Sequence, residues 1–76
     1  MTKPKLPVYY AGEPDKCDLC FRSFALMTVM YDGQTTMGKW ADMCQTCFSR
    51  FGRGIGQGIG QRYSKQEDGK WLKTAG

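Results

Sequence analysis

Four cysteines are the side chains of this sequence whose type and spacing point most directly to chemistry. They stand as two pairs, Cys17-Asp-Leu-Cys20 and Cys44-Gln-Thr-Cys47, with 23 residues between them. Two intervening residues let a tight turn aim both sulfurs of a pair at one point. Two such turns complete a tetrahedron of thiolates, each about 2.3 Å from a metal ion. A gap of this size accommodates a hairpin between the pairs. The sequence has no histidine, so Cys17, Cys20, Cys44 and Cys47 form an all-cysteine ligand set. A set filled by protein leaves no position for water, and the expected cofactor is therefore one structural Zn2+.

Other uses of four cysteines compete with this reading. Disulfides suit a secreted chain, but the opening Met-Thr-Lys-Pro-Lys-Leu-Pro has no apolar signal-peptide core behind its lysines. A redox Cys-x-x-Cys belongs to a thioredoxin-like fold, which does not fit in 76 residues. An iron–sulfur cluster also takes four cysteines and stays open from spacing alone. Without histidine, acid–base work would fall to seven carboxylates, and these form no recognisable pair. The chain is expected not to be an enzyme and to have no small-molecule substrate.

Something must hold the cysteines in place, and the chain is short for the task. Its 76 residues allow one domain. So small a domain buries little apolar surface and usually needs a metal, a disulfide or a partner copy. No stretch approaches the roughly 18 apolar residues of a transmembrane helix, so no membrane partner and a cytoplasmic setting are expected. The net charge of +4 is unevenly spread. Residues 48–76 carry six basic and two acidic side chains, whereas residues 17–47 carry two basic and three acidic ones. The basic part is the C-terminal part, which suits an anionic partner.

Residues 1–16 read as an extended arm, broken for helix by Pro4, Pro7 and Pro14, with Leu6, Val8 and Tyr10 alternating as in a short strand. Residues 17–51 read as the zinc-binding core. Within it, residues 24–31 are rich in strand formers, Asp32-Gly33 is a turn dipeptide, and residues 34–43 return with a bend at Gly38. Asp42 is the expected N-cap of a helix over 44–51, whose Cys44, Cys47, Phe48 and Phe51 share one face. Gly52 ends that helix. The order of knuckle, hairpin and ligand-bearing helix predicts a small metal-stabilised α+β domain of treble-clef type. A zinc ribbon, with both knuckles on hairpins, is the alternative.

Residues 52–60 are glycine-rich, and Gly-Ile-Gly-Gln occurs twice, at 54–57 and 58–61. Two readings stand. In one, bare backbone amides approach a phosphate backbone, helped by Arg53 and Arg62. In the other, the segment is a packed connector with its isoleucines tucked under the finger. Residues 61–76 read as a basic tail or second hairpin, turning at Asp68-Gly69. Basic residues flank Tyr63 and Trp71 there, an interleaving used to stack bases and hold phosphates. A small core covered by Tyr63 and Trp71 is the competing reading. The candidate nucleic-acid contacts are thus Arg50, Arg53, Arg62, Tyr63, Lys65, Lys70 and Trp71.

The segments Cys17-x-x-Cys20 and Trp40-Ala-Asp-Met-Cys44-x-x-Cys47 resemble the GATA-type treble-clef finger. The resemblance implies DNA reading from the helix and the tail behind it. The gap here is longer, Gln45, Thr46 and Ser49 replace the family's Asn-Ala and Gly-Leu pattern, and the tail is glycine-rich. The layout also resembles small zinc-finger proteins of bacteriophage genomes, which share Trp-Ala-x-Met-Cys-x-x-Cys-Phe and a glycine stretch followed by Gln-x-Tyr. In this chain those are residues 40–48 and 52–63. That resemblance implies a phage source and a host-cytoplasm setting, with no activity attached. Nucleic acid is the first expected partner, and a host protein bound or inhibited by the chain is the alternative.

Overall fold

The computed structural model describes residues 7–76. The strands are β1 (Val29–Gln34), β2 (Trp40–Met43), β3 (Gly60–Lys65) and β4 (Trp71–Ala75), with one helix, α1 (Gln45–Phe51), between β2 and β3. They form one antiparallel sheet in the order β2-β1-β3-β4. No helix among the described residues is long and apolar enough to cross a membrane.

Strand alternation gives the sheet two working faces. Tyr31, Ala41 and Met43 share one face, since Tyr31 pairs with Met43 and Gly33 with Ala41. There α1 docks, and Tyr31 stacks on Phe48 with ring centroids 4.0 Å apart. Met30, Tyr63 and Trp71 lie on the other face, with Met30 opposite Tyr63. Phe24 packs against Trp71 there, and Tyr10 meets Tyr63 edge-on at 5.4 Å. The small core is thus two thin layers, one on each side of the sheet.

The first hairpin differs from the sequence expectation. Residues 24–28 are not strand: Phe24 is buried, and Met27 N–H donates to its carbonyl in a tight turn. Asp32 and Gly33 sit inside β1, and the reversal falls on residues 35–39. Buried Thr35 builds that reversal by donating both its N–H and its hydroxyl to the Lys39 carbonyl, each at 2.8 Å. Gly38 supplies the positive φ of 89°. Gly33 is glycine because β3 runs so close that a Cβ would lie 2.9 Å from the Gly60 Cα.

The second hairpin forms as the Asp68-Gly69 dipeptide predicts, with Gly69 at φ 86° and Lys70 N–H bound to the Asp68 carboxylate. Of the N-terminal arm, Pro4 and Leu6 lie outside the described residues. Tyr9 bridges Leu72, Tyr10 N–H donates to the Trp71 carbonyl, and Lys73 N–H donates to the Val8 carbonyl. The arm therefore covers part of the otherwise open edge of β4.

Candidate metal centre

The first cysteine pair sits in a miniature hairpin. Lys16 bridges Ser23, Cys17 N–H donates to the Arg22 carbonyl, and Phe21 N–H donates back to the Cys17 carbonyl. Phe21 closes the loop at φ 65°, a left-handed conformation uncommon outside glycine. The second pair comes from the end of β2 and the first turn of α1. Cys44, not Asp42, is the N-cap, and its sulfur accepts the Cys47 N–H at 3.5 Å. Asp42 belongs to β2 and holds the two halves together: its N–H donates to the Asp18 carboxylate and its carbonyl accepts the Asp18 N–H, both at 2.8 Å. Gly52 does end α1, but at φ −72° and not in the left-handed form. Its lack of a side chain serves contact, because a Cβ there would collide with the Phe48 ring at Cδ1.

These elements bring all four sulfurs within 4.8 Å of one another. Cys20 Sγ and Cys44 Sγ are 3.7 Å apart. A tetrahedron with metal–sulfur bonds of about 2.3 Å has edges of about 3.8 Å, so the set fits one ion. All four cysteines are free, and Cys17, Cys44 and Cys47 are buried while Cys20 is exposed. Four soft thiolates in that geometry suit zinc, whose site would be saturated by protein. A metal held there supplies a cross-link between the knuckle and the β2–α1 junction.

The sulfurs differ in their surroundings. Burial opposes ionisation of Cys17, but backbone N–H groups of Cys20, Cys44 and Leu19 outweigh it and bring the thiol down to about 7. Burial pushes Cys44 and Cys47 up, so a metal must displace their protons.

A second polar cluster lies across the sheet from α1, and nothing local in the sequence signals it. Tyr10 donates its hydroxyl to Asp42 at 2.7 Å, across 32 positions. Asp32 stands directly opposite Asp42 and accepts the Trp40 indole N–H. Burial first, and then repulsion from Asp32 and Asp18, raise the Asp42 carboxyl to about 6 against the Tyr10 hydrogen bond. Burial also raises the Tyr10 phenol, helped by the same carboxylates.

The candidate nucleic-acid residues do not converge on one site. Tyr63 and Trp71 are each 5 % exposed and belong to the core, so their rings present no free face for a base. Lys65 lies over Trp71 and donates to the carbonyls of Phe24 and Ala25. Arg62 points to the α1 side of the sheet, where its Nε donates to Thr74 Oγ1. Arg50 lies over Phe51 at the end of α1, Lys70 lies over Tyr9, and Arg53 is exposed. In the glycine segment Gly56 and Gly60 exchange backbone hydrogen bonds, and Ile59 N–H donates to Gly56. It is a packed connector with those amides engaged, but Ile55 and Ile59 lie on its surface and are not tucked beneath the finger. A cleft of about 720 Å³ opens between the arm and the second hairpin turn, with Lys65 and Lys70 facing Glu13, Asp15 and Asp68.

The fold and site define a small α+β chain whose four cysteines are placed to hold one metal ion. No protein-family model, curated protein or solved structure matches it.

Proposed function

We propose that this chain is a structural-zinc module that binds the phosphate backbone of nucleic acid. The observation that carries the reading is the state of its basic side chains. Arg50, Arg53 and Arg62 are exposed, and the contacts found for the Arg50 and Arg62 side chains are to an aromatic ring and a hydroxyl, both neutral. Their charge is left available to phosphates. With Tyr63 and Trp71 in the core, base stacking by these rings drops out, and the binding is to the backbone with little sequence preference. The placement of the last two ligands at the start of a helix supports a treble-clef-like arrangement over a zinc ribbon. Catalysis has no part in this reading, because the four ligand positions of the metal are taken by protein.

Fluorescence anisotropy with labelled single- and double-stranded DNA and RNA, at two salt concentrations, tests it. Binding should weaken steeply with salt, with a slope on duplex DNA of about −0.9 per phosphate neutralised. Replacing Arg53 and Arg62 by alanine should weaken it further. Absence of binding at low salt would refute the reading.

A second reading is favoured by the apolar surface. Leu26 is 98 % exposed and Phe21 is 67 % exposed, which suits a protein-docking face such as a phage protein would turn toward a host protein. That complex would depend weakly on salt and strongly on Phe21 or Leu26.

A further inference from the structure

We propose that Cys20 is the covalent modification site of the metal centre, the one sulfur that takes a soft electrophile or a peroxide from solution. The inference rests on the metal-site part of the proposed function and is independent of any nucleic acid. The centre is lopsided. Cys17, Cys44 and Cys47 are 0 %, 3 % and 6 % exposed, while Cys20 is exposed at the turn of the knuckle. The sulfurs of Cys17 and Cys44 accept N–H donors from Leu19 and Cys47, at 3.4 and 3.5 Å. Such bonds draw electron density from a thiolate and blunt its nucleophilicity. Among the described residues no N–H donates to the Cys20 sulfur, and Cys47, the other sulfur without such a donor, is buried. Accessibility and electron density therefore coincide at Cys20 alone.

With a peroxide the steps balance as follows. Cys20 Sγ attacks one peroxide oxygen, the O–O bond breaks, and hydroxide leaves and is protonated to water. The sulfur is oxidised by two electrons to S–OH. Cys44 Sγ, 3.7 Å away, then attacks the Cys20 sulfur, the S–S bond forms, and a second hydroxide leaves as water. Two thiolates, one peroxide and two protons become one disulfide and two waters. The ion loses two ligands and is released, and the cross-link between the knuckle and the β2–α1 junction goes with it. An alkylating electrophile stops at the first bond and removes one ligand.

Zinc-loaded wild-type protein, its metal content first measured by elemental analysis, would be treated briefly with sub-stoichiometric N-ethylmaleimide. Peptide mapping locates the label. Cleavage after Lys16 and Arg22 leaves Cys17 and Cys20 on one peptide, so fragment spectra assign the sulfur. Cys20 should carry about tenfold more label than any other cysteine, and the difference should vanish in denaturant. Sub-stoichiometric hydrogen peroxide should join the Cys20 and Cys44 peptides and release zinc in proportion. Label spread evenly, or placed first on Cys17, Cys44 or Cys47, would overturn the proposal. A metal content near zero would overturn the zinc reading itself, a failure distinct from a misplaced label.

Discussion

Gly33 and Gly60 face each other across β1 and β3 so closely that backbone meets backbone. A Cβ on Gly60 would collide with the Gly54 carbonyl oxygen, and neither partner has a flexible side chain to move aside. Gly60→Ala should therefore cost at least about 2–4 kcal/mol or prevent folding. Gly58 has φ 84° and open space around its Cα, so Gly58→Ala should cost only about 1 kcal/mol from its left-handed backbone. Denaturant unfolding of the two variants checks the contrast. Equal, small losses would mean that the segment is a loose linker.

Removal of the metal should unfold the domain. Structural zinc contributes about 10–16 kcal/mol of binding free energy in small fingers, comparable to the whole stability of a domain this size. Cys44→Ser removes a metal ligand but leaves a hydroxyl that can still accept the Cys47 N–H as N-cap of α1, so its effect reports the metal and not the cap. Loss of the cooperative thermal transition in Cys44→Ser, and in wild type with excess chelator, is the expected result. A retained transition would show that the two core layers suffice.

Asp42 sets a pH dependence of known sign. Its folded-state value of about 6 lies above the ordinary aspartate value of about 3.9. The folded state holds the proton more tightly, so the ionised carboxylate lowers stability. That cost is absent below about pH 4, grows through the window between the two values, and is complete above about pH 6. Asp42→Asn keeps an acceptor for Tyr10 and removes the charge. It should stabilise the protein at pH 7.5, by no more than about 0.5 kcal/mol because the group is only half-buried. The gain should shrink at pH 5. Asp42→Ala, which strands the Tyr10 hydroxyl, should be less stable than Asp42→Asn. Thermal melts of zinc-loaded variants at both pH values measure this.

Core and surface should separate cleanly in the C-terminal half. Trp71→Ala removes a buried ring that packs on Phe24 and should cost about 3–5 kcal/mol. Arg53→Ala should leave the melting temperature nearly unchanged, within about 0.5 kcal/mol, while weakening nucleic-acid binding. A Trp71→Ala protein that melts like wild type but no longer binds would return that ring to the interface.

The metal centre was legible because its information is local. A Cys-x-x-Cys turn aims two sulfurs whatever surrounds it, and the helical spacing of Cys44, Cys47, Phe48 and Phe51 survives in α1. The Asp68-Gly69 turn was equally local, and it formed. Tertiary structure decided what depends on partners distant along the chain. Asp32-Gly33 has the chemistry of a turn, but Gly33 pairs with Gly60 of β3 and the reversal is held further on by Thr35, so β1 runs through it. Phe24 reads as a strand residue until Trp71 offers a place to bury it. Tyr63 and Trp71 read as stacking platforms or as core, since an aromatic ring between basic residues serves either. Only the closing of Tyr10 and Phe24 over that face of the sheet assigned them to the core.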